Sequence, residues 1–218
     1  MISEKHNITT VKTGRYFTLG LKEYGIKKIW FVLHGYGQIA EEFISLFEPL
    51  VDDKTMIVAP EALNHFYKKG FSGEVGASWM TNLERENEIK DYLIFLNNIF
   101  AKVTSNFFIP KLQVNVLGFS QGTATAIRWV LDRKVIAENL ILCGGKIPSN
   151  IDFKTCSIIS KSTKISYLIG RNDEFISESD INEEKQLLFT NKIDADFYML
   201  NAKHEINAEV VSFIKDKF

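Results

Sequence analysis

Cysteine is scarce in this chain: Cys143 and Cys156 are the only two in 218 residues. Two are too few for a disulfide framework, and Cys143, closing the apolar run NLILC, reads as a small core hydrophobe. A reduced, intracellular protein is the expectation. An excess of charge of one sign is missing as well. Lys plus Arg number 26 against 27 Asp plus Glu, a formal net charge of −1, with both signs mixed along the chain. Without a basic stripe or an RNA-reading motif, nucleic acid is not an expected partner. No apolar run approaches the roughly 18 residues of a membrane span, and the opening MISEKHNITT carries no apolar leader core. The chain therefore reads as soluble and cytoplasmic, without integral membrane association. Repeats and low-complexity segments are absent too.

What is present is an apolar content of 45%, enough to build one substantial domain over residues 1–218 without staples. From residue 27 onward, short β-branched runs alternate with longer helix-period segments. KKIWFVL (27–33), TMIVAP (55–60), LQVNVLGF (112–119), NLILCG (139–144), KISYLIG (164–170) and DFYML (196–200) read as strands. Several are almost continuously apolar, as strands buried on both faces of a parallel sheet must be. Ahead of them, within an N-terminal segment of about 26 residues, ITTVKTGRYFTLG (8–20) reads as an antiparallel edge hairpin. Helices are expected at 39–50, 82–103, 121–133, 179–191 and 206–217, the second opened by a Thr81/Glu84 capping box. This alternation predicts an open, mostly parallel α/β sheet with helices on both faces. Residues 61–80 read as a long loop without regular structure. Its Phe66, Tyr67, Phe71 and Trp79 argue against disorder. They fit either a satellite hydrophobic cluster or a wall of a substrate pocket, for which Phe71 and Trp79 are the candidates.

Within LGFSQG (117–122) a single hydroxyl stands between two glycines, after a buried-type strand and before the helix-forming ATAIRWVLDR. That is the context of a G-x-S-x-G elbow, in which Ser120 sits on a strained strand-to-helix turn facing a helix N-terminus. A serine nucleophile needs a base, and the chain has four histidines. His6 lies in the polar N-terminal segment, His65 in the long loop, and His34 ends a strand where it would position a loop. His204 follows the last predicted strand, on the strand-end side where such sheets bind ligands, and by elimination is the base. A carboxylate should orient it, and LIGRNDEFI offers Asp173 and Glu174 in the loop after a strand. The oxyanion donors expected are the backbone N–H groups of Gln121 and, from the glycine-rich turn LHGYGQ, Tyr36. That turn lacks both the G-x-G-x-x-G pattern and a phosphate-binding lysine, which disfavours a nucleotide site.

With LHGYG, GASWM, LGFSQG, GRNDEF and the late His204 together, the chain resembles the compact carboxylesterase, lysophospholipase and acyl-protein thioesterase branch of the α/β-hydrolases, from about residue 27 to its end. The resemblance implies a triad of Ser120, Asp173 and His204 in the order of that superfamily, with Asp173 rather than Glu174 as the acid. It implies oxyanion donors at Tyr36 and Gln121, no metal, no cofactor, and Trp79 near an acyl pocket. Its activity would be hydrolysis of an ester or thioester through an acyl-enzyme. The chain departs from the common pattern at Gln38, Thr123, Glu174 and Lys203, beside the catalytic groups but not at them. About twenty residues separate Cys143 from Lys164, too few for a large helical cap. An open site for small or medium acyl esters follows. A fold of this kind used only to bind a small ligand is the reading from another class. A homodimer through exposed apolar loops is compatible with the sequence.

Overall fold

The computed structural model describes residues 3–20 and 25–218. In chain order the elements are β1 (Tyr16–Leu19), β2 (Lys28–Leu33), α1 (Ala40–Ser45), β3 (Thr55–Pro60), β4 (Asn64–Tyr67), β5 (Val75–Ser78), α2 (Arg85–Thr104), β6 (Gln113–Phe119) and α3 (Gln121–Leu131). There follow β7 (Asn139–Cys143), α4 (Phe153–Ile159), β8 (Lys164–Gly170), α5 (Glu178–Thr190), β9 (Ala195–Leu200) and α6 (Ala208–Lys217).

Seven strands form one open sheet in the order β1-β3-β2-β6-β7-β8-β9, parallel throughout except for β1. Successive residues of each strand point to opposite faces, and the central strands are apolar on both. In β2, Ile29, Phe31 and Leu33 enter the layer under α2, α3, α4 and α5, whereas Trp30 and Val32 enter the layer under α1 and α6. Each layer is a separate core, so a near-continuous apolar run is what these strands require.

Between β2 and β6 the direction of winding reverses: the chain leaves β2 toward β3 on one side and β6 toward β7 on the other. Loops that follow neighbouring strands at such a point diverge and leave a crevice at the strand C-termini. The segments after β2 and β6 are HGYGQ (34–38) and Ser120.

Four expectations need correction. The anticipated hairpin over 8–20 is only the strand β1, whose antiparallel partner is β3, with Tyr16 opposite Pro60. Residues 8–15 form no second strand there, and residues 1, 2 and 21–24 of the N-terminal segment lie outside the described residues. The loop at 61–80 contains the two-stranded hairpin β4–β5. The capping box at Thr81 does not form, because Glu88 instead of Glu84 accepts the Thr81 N–H at 2.5 Å and its hydroxyl at 3.0 Å. Glu84 is engaged by Asn87 and Lys5. Finally, the short stretch between Cys143 and Lys164 holds a helix, α4, capped by Asp152, whose carboxylate accepts the Lys154 N–H.

One buried carboxylate ties the edge of the sheet to its helices. The Glu61 side chain has no solvent exposure. It accepts Arg15 Nε at 2.5 Å, contacts His65 Nε2 at 2.6 Å and accepts the Ala40 N–H at the start of α1 at 3.0 Å. Burial pushes its pKa up, but the bonds from Arg15, His65 and Ala40 outweigh that and hold it below the ordinary carboxylate value. A carboxyl lowered in the native state contributes stability above its unfolded pKa of about 4.3 and loses it as pH falls through the native value. Glu61→Gln should cost about 2–3 kcal/mol at pH 7, roughly 5–10 °C in Tm. In thermal melts the gap to wild type should narrow as the pH falls below the ordinary carboxylate value and through the lowered native one. A gap independent of pH would show that shape, not charge, matters at this position.

Candidate active site

Ser120 joins β6 to α3 with φ 52° and ψ −117°, a conformation that side-chain-bearing residues rarely adopt. Close approach of backbones imposes this turn. A Cβ on Gly118 would stand 2.3 Å from the Gly122 carbonyl oxygen, and one on Gly122 would stand 2.2 Å from that of Leu33. Only glycine at both positions lets α3 start against the end of β2. The Ser120 N–H donates to the Cys143 carbonyl at 2.9 Å, holding the turn to β7 as well. The hydroxyl is thereby lifted above the sheet at the N-terminus of α3, where negative charge is favoured.

His204 and Asp173 come from the loops after β9 and β8. Asn172 N–H donates to the Ala202 carbonyl at 3.0 Å, and Arg171 N–H to that of Leu200 at 2.8 Å, so the two loops travel together. His204 Nδ1 lies 2.9 and 3.1 Å from the Asp173 oxygens, and its Nε2 lies 2.9 Å from Ser120 Oγ. A carboxylate only accepts, so Nδ1 carries the proton and Nε2 offers its lone pair to the serine hydroxyl. The Asp173 side chain is 1% exposed and also accepts the Phe175 N–H at 2.9 Å. Glu174 points into solvent. Behind Asp173, burial and then the carboxylate charge push the Cys143 thiol up to about 12, so it stays protonated.

The loop after β2 reaches the serine from the other side. A Cβ on Gly35 would lie 3.2 Å from Ser120 Cβ. Gln38 Oε1 accepts the Gly35 N–H at 2.7 Å, and the hairpin strand β5 pairs with the loop through Gly37 N–H to Ala77 O at 2.9 Å. Beneath it His34 is fully buried, donating from Nδ1 to Gly35 O at 2.7 Å while Nε2 accepts the Ala62 N–H at 3.1 Å. Burial lowers its pKa against the pull of Gly35 O and Glu61, and the imidazole is held neutral. Trp79 Nε1 donates to His34 O at 2.8 Å. Among the described residues the backbone N–H groups of Tyr36 and Gln121 have no acceptor within the chain, which leaves them available to a ligand. The Gln121 side chain is occupied: it accepts Trp79 N–H at 3.0 Å and donates to Met80 O at 2.8 Å.

Ser120, His204, Asp173 and the Tyr36 and Gln121 segments thus converge on one point. The two expected pocket residues do not join them. Phe71 is 98% exposed at the tip of the β4–β5 hairpin, where a turn between Gly70 and Gly73 carries it away from every wall. Trp79 is buried beneath the HGYG loop, against His34 and Tyr92, and acts as a support. Two other aromatic groups, Phe175 and Phe66, stand at the mouth instead. Phe175 is 68% exposed, with its ring 4.6 Å from that of His204, and Phe66 stacks on Tyr36 at 5.0 Å. Phe66 was visible only as a member of an aromatic loop, and Phe175 only as the second residue after Asp173. Among the described residues no group of three or more His, Cys, Asp or Glu could hold a metal, and no helix is long and apolar enough to cross a membrane.

Over residues 25–218 the sequence matches the model of the phospholipase/carboxylesterase family. No curated protein matches it by sequence. Similar solved structures include Zea mays acyl-protein thioesterase 2, with 15% identity, a TM-score of 0.68 and coverage of 94% of this chain and 97% of that one. A phospholipase/carboxylesterase from Dyadobacter fermentans DSM 18053 shares 18% identity at a TM-score of 0.63, covering 97% and 99%. A Bacillus cereus carboxylesterase shares 16% at 0.65, covering 93% and 92%. At these identities the structural likeness is one of fold.

The glycine contacts at the elbow carry a direct test. Gly122→Ala places a methyl group against two backbone carbonyls, of Leu33 and His34, neither of which can rotate away. It should cost at least about 3 kcal/mol, or roughly 6–12 °C in Tm by calorimetry. A melt within 2 °C or so of wild type would show that the turn is not packed as described.

Proposed function

The chain belongs to the phospholipase/carboxylesterase family, and from that premise we propose that it is a serine hydrolase of carboxylic esters, with Ser120, His204 and Asp173 as its catalytic residues. One observation carries the proposal: an unbroken relay from Asp173 through His204 to Ser120, each link near 2.9 Å, ending on a serine held at positive φ. A packing turn needs neither the relay nor the strain.

His204 Nε2 takes the hydroxyl proton as Ser120 Oγ attacks the ester carbonyl, and Asp173 stabilises the imidazolium that forms. The carbonyl oxygen gains a full negative charge and is received by the Tyr36 and Gln121 N–H groups at the N-terminus of α3. The C–O bond to the alcohol then breaks, with the alkoxide taking the proton from His204. Water adds to the acyl-enzyme with His204 again as base, and the acid is released with Ser120 restored. Thioesters would follow the same course, with a thiol as the leaving group.

Tyr36 is 61% exposed and Phe175 stands free at the mouth, so the site is open above. The only helix between β7 and β8 is the seven-residue α4. An open mouth supports small or medium acyl esters over a fully enclosed long chain. Cys143 and Cys156 are both free and buried, which supports a reducing, cytoplasmic setting.

A serine-directed fluorophosphonate should leave one adduct by intact mass, absent in Ser120→Ala. That variant should lose about 10⁶-fold in kcat on a reactive aryl ester. Asp173→Asn should lose about 10⁴-fold while the fold is kept. Folded protein that takes no adduct and turns over no ester would favour the ligand-binding reading of the same fold.

A further inference from the structure

Arg128 is a buried cation without a counter-ion. It is 8% exposed, and its acceptors are all neutral: Met80 Sδ at 3.5 Å, the Ala124 carbonyl at 3.4 Å and Asn150 Oδ1 at 2.8 Å. A guanidinium has five N–H donors, and among the described residues no carboxylate lies within 4.0 Å of it. Two buried hydroxyls beside it, Tyr92 Oη and Thr125 Oγ1, lack a partner in good hydrogen-bonding geometry, although Tyr92 Oη lies close to both Thr125 and the Arg128 guanidinium. A buried charge is ordinarily paired, and buried hydroxyls are ordinarily bonded. A buried guanidinium with no carboxylate partner, beside two hydroxyls that do not satisfy each other, points to a missing anionic ligand.

The place is continuous with the serine. Gln121 and Arg128 are seven residues apart on α3 and lie on one face of the helix. Met80 spans both, its carbonyl bonded to Gln121 Nε2 and its sulfur against Arg128. Ala124 lies between them, partly exposed, and Asn150 on the loop before α4 is exposed. This face looks into the layer of α2 and α4, whereas His204 packs on Phe119 in the layer of α6. A leaving group must lie against His204 to take its proton, so a chain running toward Arg128 belongs to the acyl half.

Resting on the hydrolase reading above, we infer that Arg128 binds a carboxylate at the far end of the acyl group. The substrate class is then a monoester of a dicarboxylic acid. The guanidinium reaches the Ala124 carbonyl, one helical turn beyond Ser120. That is on the order of 6–8 Å from the hydroxyl along the helix, a span that an acyl chain of about six carbons fills. Tyr92 and Thr125 would complete the carboxylate's hydrogen bonds.

The test compares p-nitrophenyl monoadipate with p-nitrophenyl hexanoate, equal in carbon count, on wild type, Arg128→Met and Arg128→Lys. Adipate binding is titrated in parallel by calorimetry. The ratio of kcat/KM for monoadipate over hexanoate should fall at least about tenfold in Arg128→Met, with an intermediate value for Arg128→Lys. Adipate binding should weaken by a similar factor. A ratio that moves less than about twofold, with adipate bound equally, overturns the proposal. So does a wild type that binds no adipate and prefers hexanoate at least about tenfold, even if no variant folds. Protein that cleaves neither ester defeats the hydrolase reading, while the adipate titration still decides whether Arg128 holds a carboxylate.

Discussion

The contact on which the site depends is the seating of Gly122 against the carbonyls of Leu33 and His34. It brings the start of α3 to the end of β2, and with it the serine to the HGYGQ turn. If α3 were moved out by the width of one methyl group, Ser120 would leave His204, and the Tyr36 and Gln121 amides would no longer share a target. Positive φ at Ser120 is strain accepted to keep that geometry. Hydrogen bonds from Ser120 to Cys143 and from Thr123 to Gly118 and Cys143 hold the turn in place.

Around that contact the charged and titratable groups are divided by environment. His34 is buried between a carbonyl and an N–H, which locks it neutral as a brace for the loop. His204, at the surface of the crevice, faces a carboxylate on one nitrogen and a hydroxyl on the other, the arrangement in which it can accept and return a proton. Glu61 is buried but surrounded by donors, so its charge serves structure. Glu184 and Arg128 both combine burial with neutral partners, but only Arg128 of the two stands on the helix face that begins at Gln121.

The departures from the family's common pattern acquire roles in this geometry. Gln38 bonds the Gly35 N–H and so fixes the turn that presents Tyr36. Thr123 bonds carbonyls of β6 and β7. The β4–β5 hairpin, read in sequence as a loop, supports the same turn through Gly37 and Ala77. Four-residue strands with mixed polarity are too short to show a period, whereas β3 and β7 are buried along their whole length and apolar after their first residue, and were plain. The first turn of α2 was misplaced because two glutamates, Glu84 and Glu88, competed for one threonine, and spacing alone does not choose between them.

By itself the sequence determined the alternation of buried strands and amphipathic helices, the glycine–serine elbow, and the chain order of Ser120, Asp173 and His204. These are local or ordinal properties, set by side-chain period and by the backbone freedom of glycine. Only the tertiary structure decided that Trp79 lies under the HGYG turn, that Phe71 stands in solvent and that Phe175 stands beside His204. It also decided that Arg128 has no counter-ion. Which side chains meet across loops tens of residues apart is set by how the sheet winds and how closely backbones approach. No short-range pattern encodes either.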